Sequence, residues 1–277
     1  MYEAYYGLRE KPFSILPDPE LIYWGPNHRL AYAMLEFGVM NSAGFTVITG
    51  EIGSGKTTLV RHLLRKLDPN INVGLISNTP HGRKELLQWV MMSLNQPFDG
   101  QYSHLLFRFQ QYLRDQRVEN RKTLVIVDEA QNLQPDALES LRMLSNINAD
   151  KEQFLQLMLV GQPQLRELLR SPALIQFAQR ISSDFHLKAL NVGEVTQYID
   201  YRLKAVGARS PLFSNEACTA IARASAGIPR TINIICDTAL VYGFASGSNL
   251  VTKQLVDIVI EDKQKFGIFG QQSVPQA

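Results

Sequence analysis

The sequence predicts an α/β fold: a five-stranded, mostly parallel sheet covered by helices, followed by a small all-helical domain. Three observations carry this. From residue 27 to about 189, short apolar or β-branched runs alternate with helix-length amphipathic segments, the pattern of parallel strands joined by crossovers. The first such run leads into Gly50-Glu51-Ile52-Gly53-Ser54-Gly55-Lys56-Thr57 and then into a helix, which is the strand–loop–helix order of a phosphate-binding loop. Beyond about Asn191 the strand-like runs stop and only helical periodicity remains.

Composition narrows the class. The chain has 277 residues, 45% hydrophobic and 19% charged, with a net charge of +2 spread evenly along its length. These are the proportions of a soluble globular protein, long enough for one large domain or a core with a smaller lid. The start has no basic region followed by an apolar one, and no apolar stretch approaches a membrane span, so a cytoplasmic location is expected. Cys218 and Cys236 have no metal or redox spacing and are expected to be reduced. The charge balance argues against a dedicated nucleic-acid binder, though not against a local basic patch.

The elements follow in order. Residues 1–26, rich in aromatics and proline, read as an ordered extended lead-in rather than a tail. Asn27 is placed to cap a helix running to about residue 41. Strands are expected at 45–49, 73–77, 123–127, 155–160 and, more weakly, 184–187. Helices are expected after the phosphate loop and at 82–94, 103–118, 135–147 and 163–170. The second domain, 190–266, should hold helices at 195–206, 214–226, 229–246 and 252–266, with Ser214 as an N-cap and Pro229 at a first helical position. Residues 267–277 read as a flexible tail.

The loop has a specific chemistry. Gly50, Gly53 and Gly55 allow turns that a Cβ would obstruct. Successive backbone N–H groups, from Glu51 and Ile52 through Ser54 to Thr58, then point at phosphates near the positive end of the following helix. Lys56 reaches the β- and γ-phosphates, and the Thr57 hydroxyl is a Mg²⁺ ligand. ATP with Mg²⁺ is therefore the expected cofactor pair. A second motif supports hydrolysis. The apolar run 123–127 ends in Asp128-Glu129; Asp128 is placed to hold Mg²⁺, and Glu129 to orient and polarise an attacking water.

With these motifs in place the chain resembles AAA+ ATPases, and within them the ExeA/GspA-like branch with its MshM-like and exosortase-associated relatives. The resemblance rests on Tyr6-Gly7-Leu8-Arg9-Glu10-Lys11-Pro12-Phe13 with Pro17-Asp18-Pro19, on residues 49–58, and on Asp128-Glu129-Ala130-Gln131. Val160-Gly161-Gln162-Pro163 and Gly227-Ile228-Pro229-Arg230-Thr231-Ile232-Asn233 complete it. It implies an AAA+ P-loop core over 27–189 and a helical lid over 190–266. It also implies roles for four further residues. Gln162 falls where such ATPases keep a polar residue near the γ-phosphate or the water; a turn-forming Gln before Pro163 is the alternative. Arg230 matches the lid arginine that reads the γ-phosphate. Arg180 stands where a finger completes a neighbouring subunit's site, with Arg142, Arg166 and Arg170 as alternatives. Asn78 matches a residue that restrains Glu129 in an idle state, or it is a turn residue.

The resemblance further implies a homo-oligomer, a ring or a spiral. Its work would be assembly or operation of a bacterial envelope machine for secretion, pilus biogenesis or polysaccharide export, through an envelope partner that is itself at the inner membrane. Secretion-type members continue into a membrane span and a peptidoglycan-binding domain. Neither precedes Ala277, so direct anchoring is not carried over. The alternative is a DNA-associated regulator of transposition like the TnsC/TniB ATPases.

Overall fold

A computed structural model of the chain describes residues 1–16, 18, 21–41, 43–77, 82–147 and 154–266. The residues divide into two compact units. One comprises Pro26–Glu51 and Lys56–Leu187; the other comprises Met1–Gly25, Ile52–Gly55 and the chain from Lys188 onward. Asn78 and the tail at 267–277 lie outside the described residues.

The larger unit is built on five strands: β1 (Phe45–Gly50), β2 (Ile71–Ile76), β3 (Lys122–Val127), β4 (Leu155–Gly161) and β5 (Ile181–Leu187). They form one parallel sheet in the order β2-β3-β4-β1-β5. Every residue of β1 and β4 is buried, as is all of β3 but Lys122, which is why these runs read as continuously apolar. The edge strands β2 and β5 are partly exposed, and β5 was accordingly the faintest in the sequence.

Alternate side chains of the central strands serve opposite faces. Phe45, Val47, Val125, Val127, Leu157 and Leu159 join one cluster with residues of α4 (Arg83–Ser93), α5 (Tyr102–Val118) and α6 (Pro135–Ser145). Ile48, Leu124, Ile126, Met158 and Val160, equally buried, face the other way. On that side α2 (Pro26–Met40) and α3 (Lys56–Lys66) pack on β1. Helix α2 begins at Pro26, so Asn27 lies inside the helix and does not cap it: proline's fixed φ suits a first helical position. A short α7 (Pro163–Leu169) follows β4, and α8 (Ile175–Ala178) precedes β5.

The smaller unit holds α9 (Val192–Ala205), α10 (Asn215–Ala224), α11 (Pro229–Ala245) and α12 (Lys253–Phe266). Ser214 caps α10 as expected, its side chain accepting from Ala217 N at 3.1 Å. Helix α9 starts three residues before its expected position because Asn191 and Glu194 form a reciprocal capping box, each accepting the other's backbone N–H at 2.9 Å.

The lead-in belongs to this unit and is not simply extended. Tyr2–Tyr5 forms a helical turn, α1, and Tyr2, Leu8 and Phe13 are buried in the helical core. Polar bonds fix the rest: Tyr2 Oη donates to Asp237, Arg202 Nε to Pro12 O at 2.7 Å, and Asn233 Nδ2 to Ser14 O at 2.9 Å. Aromatic burial of this kind orders a segment whose local propensity is weak.

One glycine carries a large share of the helical unit's geometry. Gly227 sits at φ 72°, and a Cβ there would lie 1.9 Å from the carbonyl oxygen of Leu190. Gly227→Ala is expected to destabilise the unit by about 3 kcal/mol or more, the left-handed penalty and the backbone clash adding. Gly247→Ala is the control, since Gly247 has φ 70° and nothing within 4 Å of its added Cβ. It should cost only the conformational term, about 1 kcal/mol. Thermal unfolding of the two variants compares them; equal losses would remove the clash from the account.

Candidate nucleotide site

Strands β3, β4 and β1 are neighbours, and their register pairs Val127 with Leu159 and Thr49 with Gly161. The segments leaving the three strands therefore emerge side by side at the carboxyl edge of the sheet. These are the phosphate loop after β1, Asp128-Glu129 after β3, and Gln162 after β4. Strand order turns back at this point, and that is where ligands bind in open parallel sheets.

The loop's conformation depends on two of its three glycines. Gly53 and Gly55 have φ of 79° and 103°, values that L side chains resist. Gly50 is instead the last residue of β1, outside the left-handed region, and its contribution is its carbonyl. The loop tip Ile52–Gly55 groups with the helical unit. Within that unit Arg230 N donates to Gly53 O at 3.2 Å, and a Cβ on Gly53 would lie 2.4 Å from Cβ of Arg230. Ser54 is buried, Glu51 and Ile52 are exposed, and Thr58 is half-buried in the first turn of α3.

Lys56 opens α3 and is only 7% exposed. Its Nζ donates to Gly50 O at 2.7 Å and to Glu51 O at 3.0 Å. An ammonium has three donors, so one remains for a phosphate oxygen. Burial lowers the Lys56 pKa, while the carboxylates of Glu129, Asp128 and Glu51 act in the opposite sense.

Thr57 Oγ1 lies 3.4 Å from Asp128 Oδ2, and Asp128 Oδ1 accepts the backbone N–H of Glu129 at 2.9 Å. A hydroxyl and a carboxylate oxygen are the hard donors that Mg²⁺ takes, usually one or two from protein with the rest from phosphates and water. Among the described residues no group of three His, Cys, Asp or Glu could form a protein-only metal cage. The Thr57–Asp128 pair thus fits a Mg²⁺ ion that arrives with a nucleotide. Burial pushes the Asp128 carboxyl up, and the charge of Glu129 adds to this; the N–H of Glu129, Lys56 and the Thr57 hydroxyl pull it down.

Glu129 occupies the left-handed region, φ 52° and ψ 36°, at the head of a 3₁₀ turn over Ala130–Asn132. Non-glycine residues adopt this conformation at a cost, and such strain concentrates at functional sites. Two amides meet one carboxylate oxygen: Gln131 Nε2 donates to Glu129 Oε2 at 2.7 Å and Gln162 Nε2 at 3.0 Å. Burial works to raise the Glu129 pKa, but these two hydrogen bonds, with Lys56, outweigh it and hold the carboxyl below its ordinary range. The two adjacent carboxyls are thereby pushed in opposite directions. Sequence reasoning singled out Gln162 and missed Gln131. Nothing in linear spacing shows that the turn after Glu129 folds the Gln131 amide back onto it.

The arginines separate. Arg180 does not join this network. Its Nη1 donates to Ser145 Oγ at 3.0 Å, to Arg142 O at 3.4 Å and to Asn146 Oδ1, all at the carboxyl end of α6 where a cation is favoured. Arg142 is held by Glu139, with Nε at 2.8 and 2.9 Å from the two carboxylate oxygens. Arg166 lies on α7 and Arg170 at its end. Arg230 is an exposed residue in the first turn of α11.

Comparisons with known proteins agree with this geometry. Residues 39–169 match the family of AAA domains. The chain is 40% identical over 256 residues to the General secretion pathway protein A of Aeromonas hydrophila, an alignment that covers 91% of this chain and 46% of that protein. The chain thus spans about half the length of that relative. Among solved structures it resembles Cdc6p of Pyrobaculum aerophilum, with a TM-score of 0.68, 15% identity, and coverage of 94% of this chain and 73% of that one. It also resembles the Aeropyrum pernix ORC1 protein, solved in complex with DNA, with a TM-score of 0.66, 14% identity, and coverage of 92% and 70%. At these identities the structural likeness shows the fold alone, an AAA+ P-loop fold.

Proposed function

Because this chain is an ExeA/GspA-like AAA+ protein, we propose that it hydrolyses ATP with Mg²⁺ to drive assembly or operation of a bacterial envelope machine. The observation that carries the hydrolytic part is the meeting of Lys56, the Thr57–Asp128 pair and Glu129 at the adjoining strand ends. The loop N–H groups from Glu51 to Thr58 would cradle the phosphates, and Lys56 would give its remaining donor to a phosphate oxygen. Thr57 and Asp128 would hold Mg²⁺, and the ion would supply charge neutralisation at the phosphate oxygens.

Glu129 orients the attacking water. A carboxyl held below its ordinary range is fully ionised at neutral pH but a weak proton acceptor. Its part is therefore to align and polarise the water, more than to remove its proton outright. Gln162, bonded to the same carboxylate, holds it in place from the end of β4. Arg230, packed on the loop tip, reads the γ-phosphate. Arg180 acts on a neighbouring subunit of a ring or spiral.

The secretion-pathway name of the relative supports an envelope role; pilus biogenesis and polysaccharide export are the other machines of the same branch. No helix among the described residues is long and apolar enough to cross a membrane; an envelope partner at the inner membrane is part of the proposal. Phosphate release from ATP tests the enzyme: it should require Mg²⁺ and vanish with EDTA. Arg180→Ala and Glu129→Gln should each be inactive alone, and mixing the two should restore turnover, since each mutant supplies what its neighbour lacks. Mixtures that stay inactive would take Arg180 out of a shared site. Stimulation by duplex DNA that falls steeply with salt would place the protein among DNA-associated regulators instead.

A further inference from the structure

We propose that Gln131 is a positioning residue for Glu129, fixing which carboxylate oxygen faces the reaction and tying it to the junction of β4 and α7. This rests on the reading of Glu129 as the water-orienting group. The side chain is bifunctional. Its Nε2 donates to Glu129 Oε2 at 2.7 Å, and its Oε1 accepts the backbone N–H of Gln162 at 2.9 Å. Gln162 closes the circuit, its own amide donating to the same Glu129 Oε2 at 3.0 Å.

The circuit has a consequence for Glu129. Both donors converge on Oε2, so that oxygen is occupied and Oε1 is the face left to accept from a water. A carboxylate has a near-symmetric choice of oxygen and a freely rotating χ3; two donors from two different elements remove that freedom. The left-handed backbone of Glu129 and the 3₁₀ turn that follows set the two side chains side by side. The space is matched as well. A Cβ on Gly161 would lie 2.9 Å from Gln131 Oε1 and 2.8 Å from Leu165 Cδ2, so glycine at the end of β4 leaves room for the bridging amide. A carboxamide is the one side-chain type of this length that donates and accepts at once.

The test uses Gln131→Ala and Gln131→Glu. The second keeps the shape and the acceptor for Gln162 N–H but loses the donor to Glu129, which makes it informative where alanine disturbs folding. The direct readout is a double-mutant comparison of steady-state phosphate release, read as kcat and KM separately. If Gln131 acts through Glu129, adding Gln131→Ala to Glu129→Gln should slow turnover little beyond Glu129→Gln alone, and KM should stay near the parent value in both Gln131 variants. Turnover should fall about ten- to a hundredfold, the cost of a misplaced reacting group, while binding of a fluorescent ATP analogue stays within about twofold. Turnover within about threefold of the parent in both folded variants, or a double variant slowed by the full product of the two single effects, overturns the proposal. Failure of the underlying reading shows separately, as unchanged turnover in Glu129→Gln.

Discussion

Glu129→Gln is expected to lower ATP turnover by at least about a hundredfold and to leave ATP binding intact. A positioned acid or base contributes roughly 10²–10⁴ in rate. The loss therefore belongs near the top of the effects available to a single side chain that never touches the phosphates. The amide is isosteric, and its oxygen still accepts from Gln131 and Gln162, which now donate to Glu129 Oε2 at 2.7 and 3.0 Å. What disappears is the negative charge and the second acceptor facing the water. The proposed nucleotide cradle uses other groups: the loop amides, Lys56, Thr57 and Asp128. Equilibrium binding of a fluorescent ATP analogue and steady-state phosphate release, measured on one preparation, separate the two. Turnover within tenfold of the parent removes Glu129 from the mechanism. Loss of binding together with turnover would mean that the carboxylate holds up the loop instead.

This contrast also shows what the sequence can and cannot disclose. The phosphate loop and Asp128-Glu129 were legible because each depends on a local signal: glycines spaced for a turn, and an apolar strand ending in charge. The central strands were legible because burial on both faces leaves an unbroken apolar run, as in 123–127. The edge strand β5 was faint because its exposed positions, Ser182 and Asp184, break that run. The lead-in was misread as extended because α1 owes its form to Tyr2 buried against α11 and bonded to Asp237, contacts more than 230 residues away in sequence. Asn191 and Glu194 did carry a local signal, the capping box, and reading it would have placed the start of α9 correctly. Gln131 stood in the Asp128–Gln131 motif with no role attached to it. Its importance comes from a left-handed turn at Glu129 and from the sheet order that sets β4 beside β3, neither of which is written in the residues 128–131.

Lys56→Met should abolish the stabilisation that ATP confers while leaving the nucleotide-free protein at least as stable as the parent. The argument turns on the buried ammonium. Lys56 is 7% exposed, and burial lowers its pKa, so the unfolded chain holds this proton more tightly than the folded one. By linkage, stability then rises with pH through the window between the depressed folded value and the ordinary lysine value. Below that window the amine is charged in both states, and burying the charge is a standing cost. Methionine fills a similar volume without the charge and removes that cost, against the loss of two donors to Gly50 O and Glu51 O. Gly50 closes β1 and is buried while Glu51 is exposed, so water replaces the bond to Glu51 O, and the lost bond to Gly50 O is set against the removed charge. A bound triphosphate supplies the opposite charge that makes the buried ammonium favourable. At a hundredfold excess over its dissociation constant, a ligand stabilises the folded state by about 2.7 kcal/mol, a shift of several degrees in melting temperature. Thermal unfolding of parent and variant, with and without Mg·ATP and repeated at pH 7 and 9, reads every term. The parent alone should gain from ATP, and the difference between parent and variant without nucleotide should narrow as pH rises. A variant that melts lower without nucleotide would make Lys56 a structural pin of the loop. A variant that still gains from ATP would take Lys56 out of the phosphate contacts.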